Sequence, residues 1–231
     1  MSRHDLRETD EITSSIQKFS EIAYTRRKEI LVGVVVLVVL ILVVVGWRVY
    51  SANRNASAQN QLSLAISAYN DANIKSDKER FEKTLAEAQK THDAYPSLPA
   101  GVIAQYYMAM SQEGLGDTAK ATDNLQQAIR NGDESVAGVA KFALAGIYKK
   151  HSETQKAIDL YKELYDKGGY SKSAAVFELA KLSETNNKAD EAKAYYQKIV
   201  SEFPESPFRQ EADSALKRLG VAAPAPEQKP S

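Results

Sequence analysis

The chain has 231 residues, with 30 basic and 30 acidic side chains and no cysteine. That balance excludes the clustered basic excess a nucleic-acid-binding surface needs. The missing cysteine excludes disulfides, zinc–thiolate sites, a cysteine nucleophile and a lipidated N-terminal cysteine. From Asn55 onward 22 basic residues stand against 24 acidic ones, so the long C-terminal part carries no basic excess of its own.

Residues 1–29 are polar with one helical signal. Ile12, Ile16, Phe19 and Ala23 recur at i, i+4, i+7 and i+11, with Ile22 alongside, which is the apolar stripe of a short amphipathic helix. Thr9 or Asp10 is placed to cap it. An interfacial helix, a docking site for a cytoplasmic partner and a partly ordered tail all fit this segment.

Residues 30–47 read ILVGVVVLVVLILVVVGW, without one charged side chain. As a helix they span about 27 Å, close to a hydrocarbon core of roughly 30 Å. Arg26, Arg27 and Lys28 precede the run, and Trp47, Arg48 and Tyr50 close it, the residue types that settle at membrane interfaces. The segment is predicted as a transmembrane signal anchor. It is too long for the apolar part of a cleaved signal peptide, and the first small-x-small site, Ala56-Ser57-Ala58, lies too far past it. Lys18, Arg26, Arg27 and Lys28 on one side outnumber Arg48 and Arg54 on the other. Positive residues stay cytoplasmic, so the N-terminus is predicted inside and the remainder outside.

Residues 48–60 have little apolar periodicity and are predicted as a stalk or a helical continuation. From 61 to 219 the chain reads as helix throughout, rich in Ala, Leu, Lys, Glu and Gln. It is also internally repetitive. Counting from Gly138, slots 7, 8, 11, 20, 24 and 27 hold Leu144, Ala145, Tyr148, Ala157, Tyr161 and Leu164. Thirty-five residues later the same slots hold Leu179, Ala180, Ser183, Ala192, Tyr196 and Ile199, and thirty-six earlier Met108, Ala109, Gln112, Ala121, Leu125 and Ala128. Small residues at 8 and 20 let paired helices approach, and the larger slots fill the space between pairs. This resembles the tetratricopeptide repeat, whose period is 34 residues. A degenerate first unit fits 65–98, with Ala68, Ala72 and Pro96, and a looser connection at Ile74-Lys75-Ser76-Asp77. Tyr95-Pro96-x-x-Pro99 and Phe203-Pro204-x-x-Pro207 punctuate two units alike. Phe208, Ala212, Ala215, Leu216 and Leu219 form a capping helix, and residues 220–231 are a Pro/Ala-rich tail predicted to be disordered. The fold class predicted is all-α: one transmembrane helix, then a helix-turn-helix solenoid of about four repeats.

Nothing in the sequence carries catalysis. His4, His92 and His151 are far apart, His151 at a predicted turn where it reads as a solvated side chain, and no nucleotide-binding or nucleophile motif occurs. No enzyme activity, metal or cofactor is expected. One pattern exceeds packing. Slot 5 of each unit is aromatic: Tyr69, Tyr106, Phe142 and Phe177. By resemblance to tetratricopeptide domains, slots 2, 5, 9 and 12 face a concave groove, which adds Ile103, Met110, Glu113, Val139, Lys149, Lys181 and Glu184. The expectation is an aromatic-lined groove for an extended peptide or a partner's helix. The competing expectation is that these rings pack between neighbouring helices.

The short N-terminus, the anchor ending Gly46-Trp47-Arg48, the polar stalk and the degenerate repeats resemble the YfgM-like family of bacterial inner-membrane proteins. The resemblance implies a single-pass inner-membrane protein with a periplasmic repeat domain. It implies the partners too: SecYEG translocon subunits, a membrane-anchored periplasmic peptidyl-prolyl isomerase chaperone, and newly exported chains. A scaffold for cell-envelope assembly or division is the alternative, and a structural subunit that oligomerises through its anchor or N-terminal helix is a third.

Overall fold

The computed structural model describes residues 26–167 and 172–220. The stripe at 12–23, Gly168-Gly169 and the tail beyond Gly220 lie outside the described residues. Among the described residues there are nine helices and no strand: α1 Arg27–Tyr69, α2 Asp77–Ala94, α3 Pro99–Gly114, α4 Thr118–Asn131, α5 Glu134–Lys150, α6 Thr154–Lys167, α7 Lys172–Thr185, α8 Ala189–Glu202 and α9 Arg209–Arg218. The chain divides into two compact units, Met1–Arg54 and Asn55–Ser231.

In the first unit, α1 carries the apolar run, whose side chains are exposed along its length. Among the described residues it is the one helix long and apolar enough to cross a membrane. The helix continues without a break through 48–60, so the predicted stalk takes its helical form.

The second unit is a series of antiparallel helix pairs held by four apolar clusters. Each cluster joins one pair to the first helix of the next. Ala58, Leu62 and Ala65 of α1 meet Ala88 of α2 and Ala100, Ala104 and Met108 of α3. Ala109, Leu125 and Leu144 centre the next cluster, across α3, α4 and α5. Ala145, Tyr161 and Leu179 follow on α5, α6 and α7, and Ala180, Tyr196 and Leu216 on α7, α8 and α9. The alanines at slots 8 and 20, namely 109, 145, 180, 121, 157 and 192, are all fully buried. A larger side chain there would push the paired helices apart.

Slot 11 departs from the expected apolar filler. Gln112 and Ser183 are buried at that slot. Asn124 Nδ2 donates to Gln112 Oε1 at 2.8 Å, and Ser183 Oγ donates to Glu191 at 3.1 Å, so the slot is a polar seam between paired helices. Its backbone also sets the turn. The carbonyls of Gln112, Tyr148 and Ser183 accept from the N–H groups of Asp117, Glu153 and Lys188, each at 2.8 Å. The chain reverses in three residues at each site, with a left-handed residue inside: Gly116 (φ 87°), Ser152 (φ 61°) and Asn187 (φ 58°). The first pair differs. Its connection is residues 70–76, four longer than the others, and Ala72 is exposed in it. Thr84 and Thr91 occupy buried positions on α2 and return their hydroxyls to the Arg80 and Glu87 carbonyls at 2.8 and 2.9 Å. That internal bond lets a polar residue occupy a tight apolar position.

The two proline motifs do the same work at different points. Tyr95 and Phe203 close α2 and α8. Pro99 opens α3 at its first residue, where the missing N–H costs nothing, and Pro207 precedes α9 by two residues.

Candidate protein-binding groove

Two neighbouring first helices, α3 and α5, build the site. Slots 5 and 9 of α3 supply Tyr106 and Met110, and slots 2 and 5 of α5 supply Val139 and Phe142. With Glu113, Ala143, Gly146, Ile147 and Lys150 they line a pocket of about 450 Å³. Gly146 stands at slot 9 of its repeat, as Met110 does in the one before. A Cβ built on Gly146 meets nothing within 4 Å, so the absent side chain leaves that part of the pocket open.

The rings at the pocket are anchored from behind. Phe142 packs edge-on against Tyr161, centroids 5.3 Å apart, and Tyr106 against Tyr107 at 5.3 Å. One end of the pocket is ionic. Glu113 is 9% exposed, and its carboxylate accepts from Lys150 Nζ at 2.7 Å, His151 Nε2 at 3.0 Å and Thr118 Oγ1 at 2.9 Å. Burial alone would raise this carboxyl, but the three hydrogen bonds and the Lys150 charge outweigh it and hold it below its ordinary value. His151 stands exposed at the turn after α5, as expected, and its ring also meets Glu113 of the preceding repeat.

The predicted residues divide into two groups. Tyr106, Met110, Val139 and Phe142 come together in the pocket, beside Glu113. The other six lie elsewhere. Tyr69 is the last residue of α1 and packs on Phe81 and Tyr107, at 6.2 and 5.5 Å. Its longer helix connection shifts it out of the register that a constant period assigns. Ile103 packs on the α1–α2–α3 cluster. Phe177 is 4% exposed, because Phe208 stacks flat on it at 4.7 Å and Tyr196 meets it edge-on at 6.2 Å. It is a core ring, not a lining one. Lys149 is paired with Glu178 at 2.6 Å, and Lys181 lies over the Phe177 ring at 5.3 Å. Glu184, at slot 12, accepts from Arg218 at 2.5 Å and Tyr196 at 2.9 Å, which fastens α9 to the last pair. Lys150, one residue beyond slot 12, escaped the slot count, because neighbouring positions on a helix turn about 100° apart.

The profile of the family described as Tetratricopeptide repeat-like domain matches residues 26–168, more than half of the chain. The chain belongs to that family. A second profile, Tetratricopeptide repeat, matches residues 174–206. Among solved structures, kinesin light chain nearly identical TPR-like repeats from Podosopora anserina share the fold with a TM-score of 0.55 at 16% identity. The match covers 71% of this chain and 86% of that one. A Q17M form of the same protein gives 0.53 at 16% identity, over 71% and 85%. No curated protein matches the chain. Tetratricopeptide repeats are a protein-interaction scaffold, and an open, mainly apolar pocket between two first helices is the kind of surface such a scaffold uses.

Proposed function

We propose that this protein is a membrane-anchored, non-enzymatic adaptor whose repeat groove holds segments of other proteins. The observation that carries the reading is the pocket lined by Tyr106, Met110, Val139 and Phe142 on a fold used for protein interaction. The anchor is residues 30–47, apolar and exposed throughout. The family match begins at residue 26, just before that run, so the apolar helix belongs to the matched module. The positive flank at Arg26, Arg27 and Lys28 favours an N-terminus in the cytoplasm and repeats on the far side of a bacterial inner membrane. By its resemblance to the YfgM-like family, the adaptor acts at the Sec translocon with a periplasmic isomerase chaperone, on chains that have just crossed. A tether there raises the local concentration of the groove around emerging chains, so weak contacts suffice.

The test is gentle detergent extraction of the full-length protein, affinity purification and mass spectrometry, beside the Gly146→Leu form that fills the pocket. Translocon subunits and an isomerase recovered with both forms, and exported chains lost only from the filled one, support the reading. One folded envelope-assembly protein recovered in fixed ratio, without translocon subunits, overturns the export role in favour of a dedicated scaffold.

A further inference from the structure

Resting on the membrane anchor proposed above, we infer that the far end of the apolar run is a binding site for anionic phospholipid, held by Arg48 and Arg54 beside Trp47 and Tyr50. The charge pattern there is one-sided. Between Glu29 and Asp71 the chain has no acidic residue, and Arg48 and Arg54 are its only charged side chains. Both are exposed, and no carboxylate stands three or four residues from either, the spacing at which a helix pairs its own charges. Among the described residues neither makes an ion pair, whereas Arg26 at the other end meets Glu29 at 3.6 Å. Two guanidinium groups beside a bilayer, with no counter-charge from their own helix, are matched by the phosphates of the lipids around them.

The helix sets the depth. α1 is unbroken from Arg27 to Tyr69, so Trp47, Tyr50 and Arg54, at i, i+3 and i+7, fall within about 60° of one face. Trp47 and Tyr50 are 68% and 62% exposed, two amphipathic rings of the kind that sit at headgroup level. Arg54 stands about 10 Å further along the axis than Trp47. Side chains on a helix lean towards its N-terminus, which here is back towards the apolar run, and the arginine stem carries the guanidinium down towards the rings. Arg48 adds a second guanidinium one residue past Trp47, about 100° round the helix. A zwitterionic headgroup brings its own cation to the phosphate. A phosphatidylglycerol headgroup brings none, so it gains more from the two arginines.

Trp47 is the only tryptophan of the chain, so its fluorescence reports on this site without a label. The full-length protein is reconstituted in vesicles of phosphatidylcholine and phosphatidylglycerol. One lipid or the other carries brominated acyl chains, at equal mole fraction, and bromine quenches tryptophan only at close contact. Brominated phosphatidylglycerol is expected to quench Trp47 as though enriched about fivefold over its bulk share, relative to brominated phosphatidylcholine. High salt is expected to remove the excess. Arg48→Gln combined with Arg54→Gln is expected to bring the two lipids level, with helical content and quenching by phosphatidylcholine unchanged. Equal quenching by the two lipids in the unsubstituted protein, or an excess that persists in the double variant, overturns the site and leaves the anchor standing. Trp47 emission that responds to neither lipid overturns the anchor as well.

Discussion

Phe142 and Phe177 occupy the same slot of successive repeats, yet one lines a pocket and the other is core. The difference is Phe208, which covers the second ring. Phe177→Ala is accordingly expected to cost about 3–5 kcal/mol, as for other buried aromatics, read from the denaturant midpoint at constant slope. Gly146 gives the opposite expectation. It sits inside α5 with open space where a Cβ would go, so Gly146→Ala is expected to gain about 0.5–1 kcal/mol from helix propensity alone. The slot count made Phe142 and Phe177 equal because a repeat register records position along the chain and not what the next helix lays on top. The open space at Gly146 was legible, since slot 9 one repeat earlier holds Met110.

The helix pairs were legible for a simple reason. Alanine at slots 8 and 20 is a steric requirement, and nothing larger fits where those residues are fully buried. The first pair was hard to place because its connection is longer and because Thr84 and Thr91 hide their hydroxyls in backbone bonds. A sequence pattern scores threonine as polar whether or not its hydroxyl is satisfied. The three-residue turns were half visible. Gly116 signals a left-handed residue, whereas Ser152 and Asn187 do the same job without the glycine. A non-glycine residue in that region is strained by about 1–2 kcal/mol, less for Asn than for Ser. Ser152→Gly is therefore expected to stabilise by about 0.5–1 kcal/mol, after the added freedom of the unfolded chain is counted, whereas Asn187→Gly should change little. Equilibrium unfolding of the two variants side by side checks the difference.

At the scale of the whole repeat unit, carboxylates fasten helix to helix, Glu113 and Glu184 across junctions between pairs and Glu163 inside the α5–α6 pair. Glu113 is held by Lys150, His151 and Thr118, Glu163 by Lys141 and Lys167, and Glu184 by Arg218 and Tyr196. All three are held below their ordinary value of 4.5. A carboxylate with a lowered folded-state pKa contributes stability that is complete above its unfolded value and is lost as pH falls through the folded one. Stability is expected to be flat on this account above about pH 5 and to decline below 4.5. Glu113 is the most buried of the three, so Glu113→Gln should flatten that decline more than Glu163→Gln. Thermal melts across the acid range decide it. The interlocked clusters explain why the fold class could be read without any tertiary information. Each unit meets only its neighbours, so the pattern that builds one junction builds the rest.

α1 has two occupations along one uninterrupted helix. Residues 30–45 are apolar and bare, while Ala58, Leu62 and Ala65 are part of the first apolar cluster. A protease working on this protein therefore faces two very different cuts. Scission between 48 and 54 would shed the repeats as a free body with every cluster intact. Scission a few turns later, past Leu62, would strip α2 and α3 of the helix that closes their shared cluster and leave a frayed end. Where such a cut falls decides between release and degradation.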